Sequence, residues 1–174
     1  MTQPTLYMLL GYPGAGKTTT AKIIEQLTGA KRLSSDEERL KRFPYPEFTP
    51  HEHDSLYRQL DEETAQLLSS GKSVIYDANL NRYTHRSDKY RICGQTNAKP
   101  ILVWLNTPRD LSEQRAIEEQ RQELWPKGET PQDMFTRIAN LIEIPRENEN
   151  PIILDGSSIN TEIVKTALIS RNLI

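Results

Sequence analysis

The segment that most constrains this chain is GYPGAGKT at residues 11–18. It follows the apolar run Leu6, Tyr7, Met8, Leu9 and Leu10, and it precedes a helix-like stretch from Thr19 to Leu27. Glycines here let the backbone turn tightly and approach a ligand with no Cβ in the way. Successive N–H groups then line an anion nest at the start of a helix, where unsatisfied donors and the helix dipole favour negative charge. The spacing G-x-x-x-x-G-K-[ST] is that of a P-loop, and a strand before it and a helix after it are the context that loop requires. Gly14, Ala15, Gly16, Lys17, Thr18 and Thr19 are thus the expected nucleotide-binding residues. Lys17 supplies a point charge to the β- and γ-phosphates, and the Thr18 hydroxyl ligates Mg²⁺. A glycine-rich turn with an incidental lysine does not account for agreement at every motif position.

Length and charge bound the rest. A chain of 174 residues suits one domain, 1–174, with room for a hydrophobic core. The formal charge is −2 and the pI about 6.0, so no strong basic field covers the molecule. That argues against a dedicated nucleic-acid binder while leaving room for a local basic cleft. Cys93 is the single cysteine, which excludes an intramolecular disulfide and fits a reducing compartment. There is no signal-peptide pattern, and no apolar run approaches the ~18 residues of a membrane span. The expectation is a cytoplasmic protein with no membrane partner.

Short apolar runs alternate with helical segments. Strands are expected at 5–10, 31–34, 73–77, 100–105 and 151–154, and helices near 17–28, 36–42, 51–70, 82–96, 108–124, 131–141 and 160–171. This alternation predicts an α/β protein whose parallel sheet is covered by helices on both faces. Thr49, Pro50 and Glu52 form a capping-box start, after which Leu56, Leu60, Thr64, Leu67 and Leu68 fall on one stripe. Gly71 suits a left-handed C-cap, and Thr107–Pro108 and Thr130–Pro131 start further helices. The stretch 43–50, with three prolines, reads as an ordered loop, and Trp125–Glu129 as a loop or hinge.

In open α/β sheets ligands bind beyond the carboxyl ends of the strands. Asp36 follows the second strand, where a carboxylate can accept the proton of an attacking hydroxyl. Ser35 and Glu38 already supply a capping-box pair, so Asp36 is not needed as a cap. Arg39, three residues on, can clamp a phosphate or carboxylate. Asp77 ends the run Val74, Ile75, Tyr76, the place for an acid that holds Mg²⁺ directly or through water. Asn79, Arg82 and Arg86 follow as substrate-binding candidates, the two arginines spaced i, i+4. On the helix after the fourth strand, Arg115 and Arg121 are candidates to close on the transferred phosphate. They lie six residues apart, off a single helical face, so a kink near Gln120 is needed for both to reach it. His51, His53 and Asp54 lack the spacing of common metal sites.

Three segments in order carry a family likeness: GYPGAGKTT at 11–19, SSDEERLKRF at 34–43 and VIYDANLNRYTHR at 74–86. With them the chain resembles P-loop kinases of the polynucleotide-kinase/zeta-toxin-like group, often described as AAA-type ATP-binding proteins. The likeness is specific in those segments and architectural elsewhere. It implies a P-loop three-layer sandwich, a parallel five-stranded sheet of order 2-3-1-4-5, and a small lid at about 112–130. It implies Asp36 as general base, Arg39 as the arginine on the substrate phosphate, Lys17 and Thr18 on ATP and Mg²⁺, and Asp77 as the strand-tip acid. It also implies Arg115 and Arg121 as lid arginines and contact with adenine from Asp155–Ser157.

The leading expectation is an ATP-dependent phosphotransferase acting on a hydroxyl, with a polynucleotide 5′-hydroxyl as one acceptor and nucleic acid a partner that is admitted but not required. The alternatives are a kinase of a nucleoside, sugar or nucleotide-sugar, and an ATP-hydrolysing or nucleotide-sensing module. Ala78, where a dedicated ATPase often has a glutamate, weighs against hydrolysis.

Overall fold

The computed structural model describes residues 3–119 and 126–174. Five strands, β1 (Thr5–Leu10), β2 (Lys31–Ser34), β3 (Val74–Asp77), β4 (Lys99–Leu105) and β5 (Ile152–Leu154), form one sheet of order β2-β3-β1-β4-β5. Every pairing is parallel. The helices between them are α1 (Lys17–Thr28), α2 (Ser35–Arg42), α3 (Pro50–Ser69), α4 (Tyr83–Thr96), α5 (Arg109–Glu118), α6 (Pro131–Ala139) and α7 (Thr161–Ser170). The expected sheet order and three-layer arrangement are therefore present.

β1 is the central strand and all six of its residues are buried, so its sequence shows a continuous apolar run instead of an alternation. Leu6, Met8 and Leu10 pack with Leu56, Leu60 and Leu68 of α3 and Ile92 and Cys93 of α4. Tyr7 and Leu9 pack on the opposite side with Ala21 and Ile24 of α1 and Val164 and Leu168 of α7. The period-2 pleat of one strand thus supplies both cores.

Local signals place several boundaries as expected. Thr49 caps α3 by accepting from the Glu52 N–H at 3.2 Å, and Thr130 caps α6 by accepting from the Asp133 N–H at 3.1 Å. Gly71 takes φ +80° just after α3. Leu56, Leu60, Thr64 and Leu68 are the buried stripe of that helix, with Leu67 only partly buried beside it.

Two caps differ. The cap of α2 is Ser34, whose hydroxyl accepts from the Glu37 N–H at 3.4 Å, not Ser35 paired with Glu38. Glu38 instead bonds Lys41 at 2.7 Å. The helix begins one residue early because β2 runs directly into it, with Ser34 in register beside Asp77. Thr107 does not cap α5. Its hydroxyl donates to Ala15 O at 2.9 Å and ties that loop to the P-loop.

Candidate active site

The P-loop sits at the carboxyl end of β1 and runs into α1, whose N-cap is Gly16 at φ +101°. Only glycine takes that conformation without steric cost. Gly14, at φ +76°, lies so close to α5 that a Cβ there would overlap Ser112 O. Close packing, not turn geometry alone, therefore reserves this position for glycine. Thr18 and Thr19 are exposed at the start of α1 and line the cleft. Ala15 is fully buried beneath the loop.

Lys17 folds back over its own loop. Its Nζ donates to Gly11 O at 2.8 Å and Tyr12 O at 2.7 Å. Burial pushes this ammonium down to about 8, and the negative charges of Asp77, Asp36 and Glu119 partly offset that. The lysine is thus within electrostatic reach of both sequence-predicted acids.

Asp77 is 7% exposed at the tip of β3. Burial pushes its carboxyl above the ordinary range, while Arg32 and Lys17 pull it down. Its Oδ2 accepts from Arg32 Nη1 at 2.9 Å. Asp77 and Thr18 line the same cleft and offer a carboxylate and a hydroxyl, the hard oxygen donors that suit Mg²⁺ alongside phosphate oxygens. The residues present fit that ion.

Asp36 is half-buried in the first turn of α2 and lines the cleft, with Arg39 one turn on. Arg39 is 7% exposed and its guanidinium lies 5.0 Å over the Phe48 ring. Its Nη1 is buried with no hydrogen-bond partner and stands 3.9 Å from Glu52 Oε2. A buried donor of this kind is costly to leave unsatisfied, and here it borders a cleft. Phe48 itself holds φ +57°, a strained conformation for an aromatic residue.

Asn79 and Arg82 also line the cleft, Asn79 turned so that its Oδ1 accepts from the Asn81 N–H at 3.1 Å. Arg86 does not belong with them. It is wholly buried, its Nε and Nη2 bonded to the two carboxylate oxygens of Glu149 at 2.7 and 2.9 Å. Its Nη1 donates to Leu80 O and Asn81 O at 3.0 and 3.1 Å. Arg86 therefore braces the loop that carries Asn79 and takes no place on the cleft wall. The i, i+4 spacing misleads here because Arg82 is the extended N-cap of α4, not a residue within it.

Arg115 also departs from the expected place. Nη1 donates to Gly156 O at 2.8 Å and Nη2 to Ser157 O at 3.2 Å, so it clasps the loop after β5. A Cβ on Gly156 would overlap Thr107 Oγ1 and Ala15 O, so this loop is pressed onto the P-loop. The other lid arginine, Arg121, and the hinge residue Trp125 lie outside the described residues.

A continuous cleft of about 1440 Å³ runs past the P-loop and the Asp77 strand tip, and Asp36, Arg39, Asn79, Arg82 and Arg115 border it while Arg86 does not. Lys17, Thr18 and Arg115 line it, and so do Asp36, Arg39, Tyr57 and Arg82. Tyr57 and Arg32 carry no motif and were not expected. Burial and the nearby Asp36 charge raise the Tyr57 hydroxyl above its usual pKa, against hydrogen bonds to Ser35 and Asn79. The His53 ring packs on Tyr57, centroids 4.4 Å apart. Among the described residues no helix is long and apolar enough to cross a membrane.

Comparison with solved structures places this geometry in company. A putative kinase from Chloroflexus aurantiacus superposes with a TM-score of 0.76 at 17% identity, covering 99% of this chain and 100% of that one. The Mycobacterium tuberculosis APS kinase CysC, solved with AMPPNP and APS, gives 0.65 at 19% identity over 99% and 98%. A chain of the Pnkp1/Rnl/Hen1 RNA repair complex gives 0.67 at 20% identity over 81% of this chain and 45% of that one. At these identities the likeness is one of fold. No curated protein matches the sequence. The family model for an AAA domain matches residues 6–155, the stretch that holds the P-loop, Asp36, Asp77 and Arg115. The chain belongs to this AAA-domain family, a P-loop kinase family.

Proposed function

We propose that this protein is an ATP-dependent phosphotransferase, a single kinase domain that moves the γ-phosphate of ATP to a hydroxyl acceptor. The observation that carries the reading is the pairing of a P-loop with an acid, Asp36, and a buried guanidinium without a hydrogen-bond partner at Nη1, Arg39, across one cleft. Asp36 takes the proton of the acceptor hydroxyl as its oxygen attacks phosphorus, and the bond from phosphorus to the β-phosphate bridging oxygen breaks. Lys17 exchanges its loop carbonyls for phosphate oxygens. Arg39 holds an anionic group of the acceptor. Thr18 and Asp77 hold Mg²⁺, which neutralises charge on the phosphates when bound. With Arg115 engaged on the loop after β5, the arginine that closes on the moving phosphoryl group is assigned to Arg121.

A polynucleotide 5′-hydroxyl is one acceptor for this arrangement. A small alcohol, such as a nucleoside, sugar or nucleotide-sugar, is the second reading, and one observation favours it. Asp36, Asp54, Asp61 and Asp88 line the cleft together with Arg39, Arg58, Arg82 and Lys89, a balanced set of charges, whereas a groove that tracks a nucleic-acid backbone is dominated by positive charge. The test is transfer from γ-labelled ATP to a panel of 5′-hydroxyl oligonucleotides, nucleosides and sugars, wild type beside Asp36→Ala. Label transfer by the wild type and about 10²–10⁴-fold less by the variant, with ATP still bound, is the expected result. Equal transfer by both would remove Asp36 from the mechanism.

A further inference from the structure

Arg32 lies on β2, beside the tip of β3, and the motifs assign it nothing. Its guanidinium joins three elements, and on the α1 side Nε stands 3.7 Å from Glu25 Oε2. Nη1 donates to Asp77 Oδ2 at 2.9 Å, and Nη2 bonds Glu37 Oε1 in the first turn of α2. The parallel register sets this up, since Arg32 pairs with Ile75, two residues before Asp77. The two side chains that meet, Arg32 and Asp77, are 10% and 6% exposed. Glu37 is the neighbour of Asp36, so one side chain touches both the strand-tip acid and the turn that carries the cleft base.

A carboxylate at a strand tip can rotate about its last torsion, which is broad. Arg32 removes that freedom by engaging Oδ2, on a side chain that lines the cleft. We infer that Arg32 is a positioning residue: it fixes the Asp77 carboxylate for Mg²⁺ and keeps α2 in register with it. This rests on the reading of Asp77 as a metal-side acid. A guanidinium suits the task because its planar fork can span two carboxylates, which an ammonium on one flexible stem does not reproduce.

The experiment measures binding of a fluorescent ADP analogue with Mg²⁺ and with EDTA, and takes the Mg²⁺-dependent gain in affinity as its readout. The proteins are wild type, Arg32→Gln, Arg32→Lys and Asp77→Asn, each checked by thermal melting. The expected result is affinity in EDTA within about twofold of wild type for the two Arg32 variants, with the Mg²⁺ gain lost in Asp77→Asn, reduced at least tenfold in Arg32→Gln and reduced less in Arg32→Lys. If the Arg32→Gln protein does not fold, the Arg32→Lys protein, which keeps the charge, decides: a reduced Mg²⁺ gain supports the role and a full gain overturns it. A full gain in both Arg32 variants with loss in Asp77→Asn overturns the Arg32 inference alone. A full gain in Asp77→Asn overturns the metal-side reading beneath it and the inference with it. Affinity lost equally with and without Mg²⁺ in the Arg32 variants marks a merely structural residue and also overturns it.

Discussion

Arg86 and Glu149, 63 residues apart in the chain, form a two-bonded pair with side chains 0% and 1% exposed. Glu149 also accepts from the Tyr90 hydroxyl at 2.9 Å and the Arg146 N–H at 2.8 Å, while Arg86 reaches the carbonyls of Leu80 and Asn81. One buried knot thus joins α4, the turn before β5 and the loop of Leu80 and Asn81 beside the cleft.

Breaking that knot from one side leaves a buried charge unpaired. Arg86→Met is expected to cost about 3–5 kcal/mol, read as a lowered denaturation midpoint. The double variant Arg86→Met/Glu149→Leu removes both charges and should recover much of the loss. Equal instability of single and double variants would show that the loop carbonyls, not the carboxylate, are the main partners.

The same pair sets an acid limit. Burial alone would raise the Glu149 carboxyl, but the bonds from Arg86, the Arg146 N–H and Tyr90 outweigh it and hold it below its usual value. A carboxyl whose folded pKa is depressed binds fewer protons folded than unfolded, so its contribution is present above the ordinary glutamate pKa and is lost as pH falls through the folded one. Stability of the wild type measured from pH 6 downward should fall below about pH 4.5 more steeply than that of Glu149→Gln. Parallel curves would mean that other carboxylates dominate the acid transition.

Arg115 separates two roles by kinetics. On the proposed reading its clasp on Gly156 and Ser157 shapes the nucleotide site, so Arg115→Ala should weaken ATP roughly 10–100-fold, the worth of charge-assisted hydrogen bonds, with kcat nearly unchanged. A fall in kcat at saturating ATP would instead put this guanidinium on the transferring phosphate.

Gly156→Ala tests the packing beneath that clasp. The added methyl overlaps Thr107 Oγ1 and Ala15 O, so the Thr107 to Ala15 bond must break or the loop must shift. The expectation is a stability loss of about 1–3 kcal/mol and weaker ATP binding by calorimetry. Wild-type values on both counts would mean that the loop moves freely away from the P-loop.

How much of this was readable in advance divides along physical lines. The P-loop, the strand and helix alternation, the Thr49 and Thr130 caps and the left-handed Gly71 were legible because each depends on residues a few positions apart. The burial of Leu6 to Leu10 in β1 followed from their unbroken apolar run. The placement of Asp36 just after β2 and of Asp77 at the tip of β3 followed from the topology of open parallel sheets. Arg86 was not legible, because an i, i+4 spacing names a shared face without saying whether that face meets solvent or a carboxylate 63 residues away. Ser34 replaced Ser35 as a cap because parallel pairing with Asp77 carries β2 straight into α2. Thr107, a helix start by local rule, was drawn off by Ala15, and Arg32 had no local signal at all. The sequence by itself determined the elements and the phosphate cradle, whose interactions are short-range along the chain. The tertiary structure alone decided which charges are partners and which face the cleft, because ion pairing and burial depend on distances in space that the chain's own order does not record.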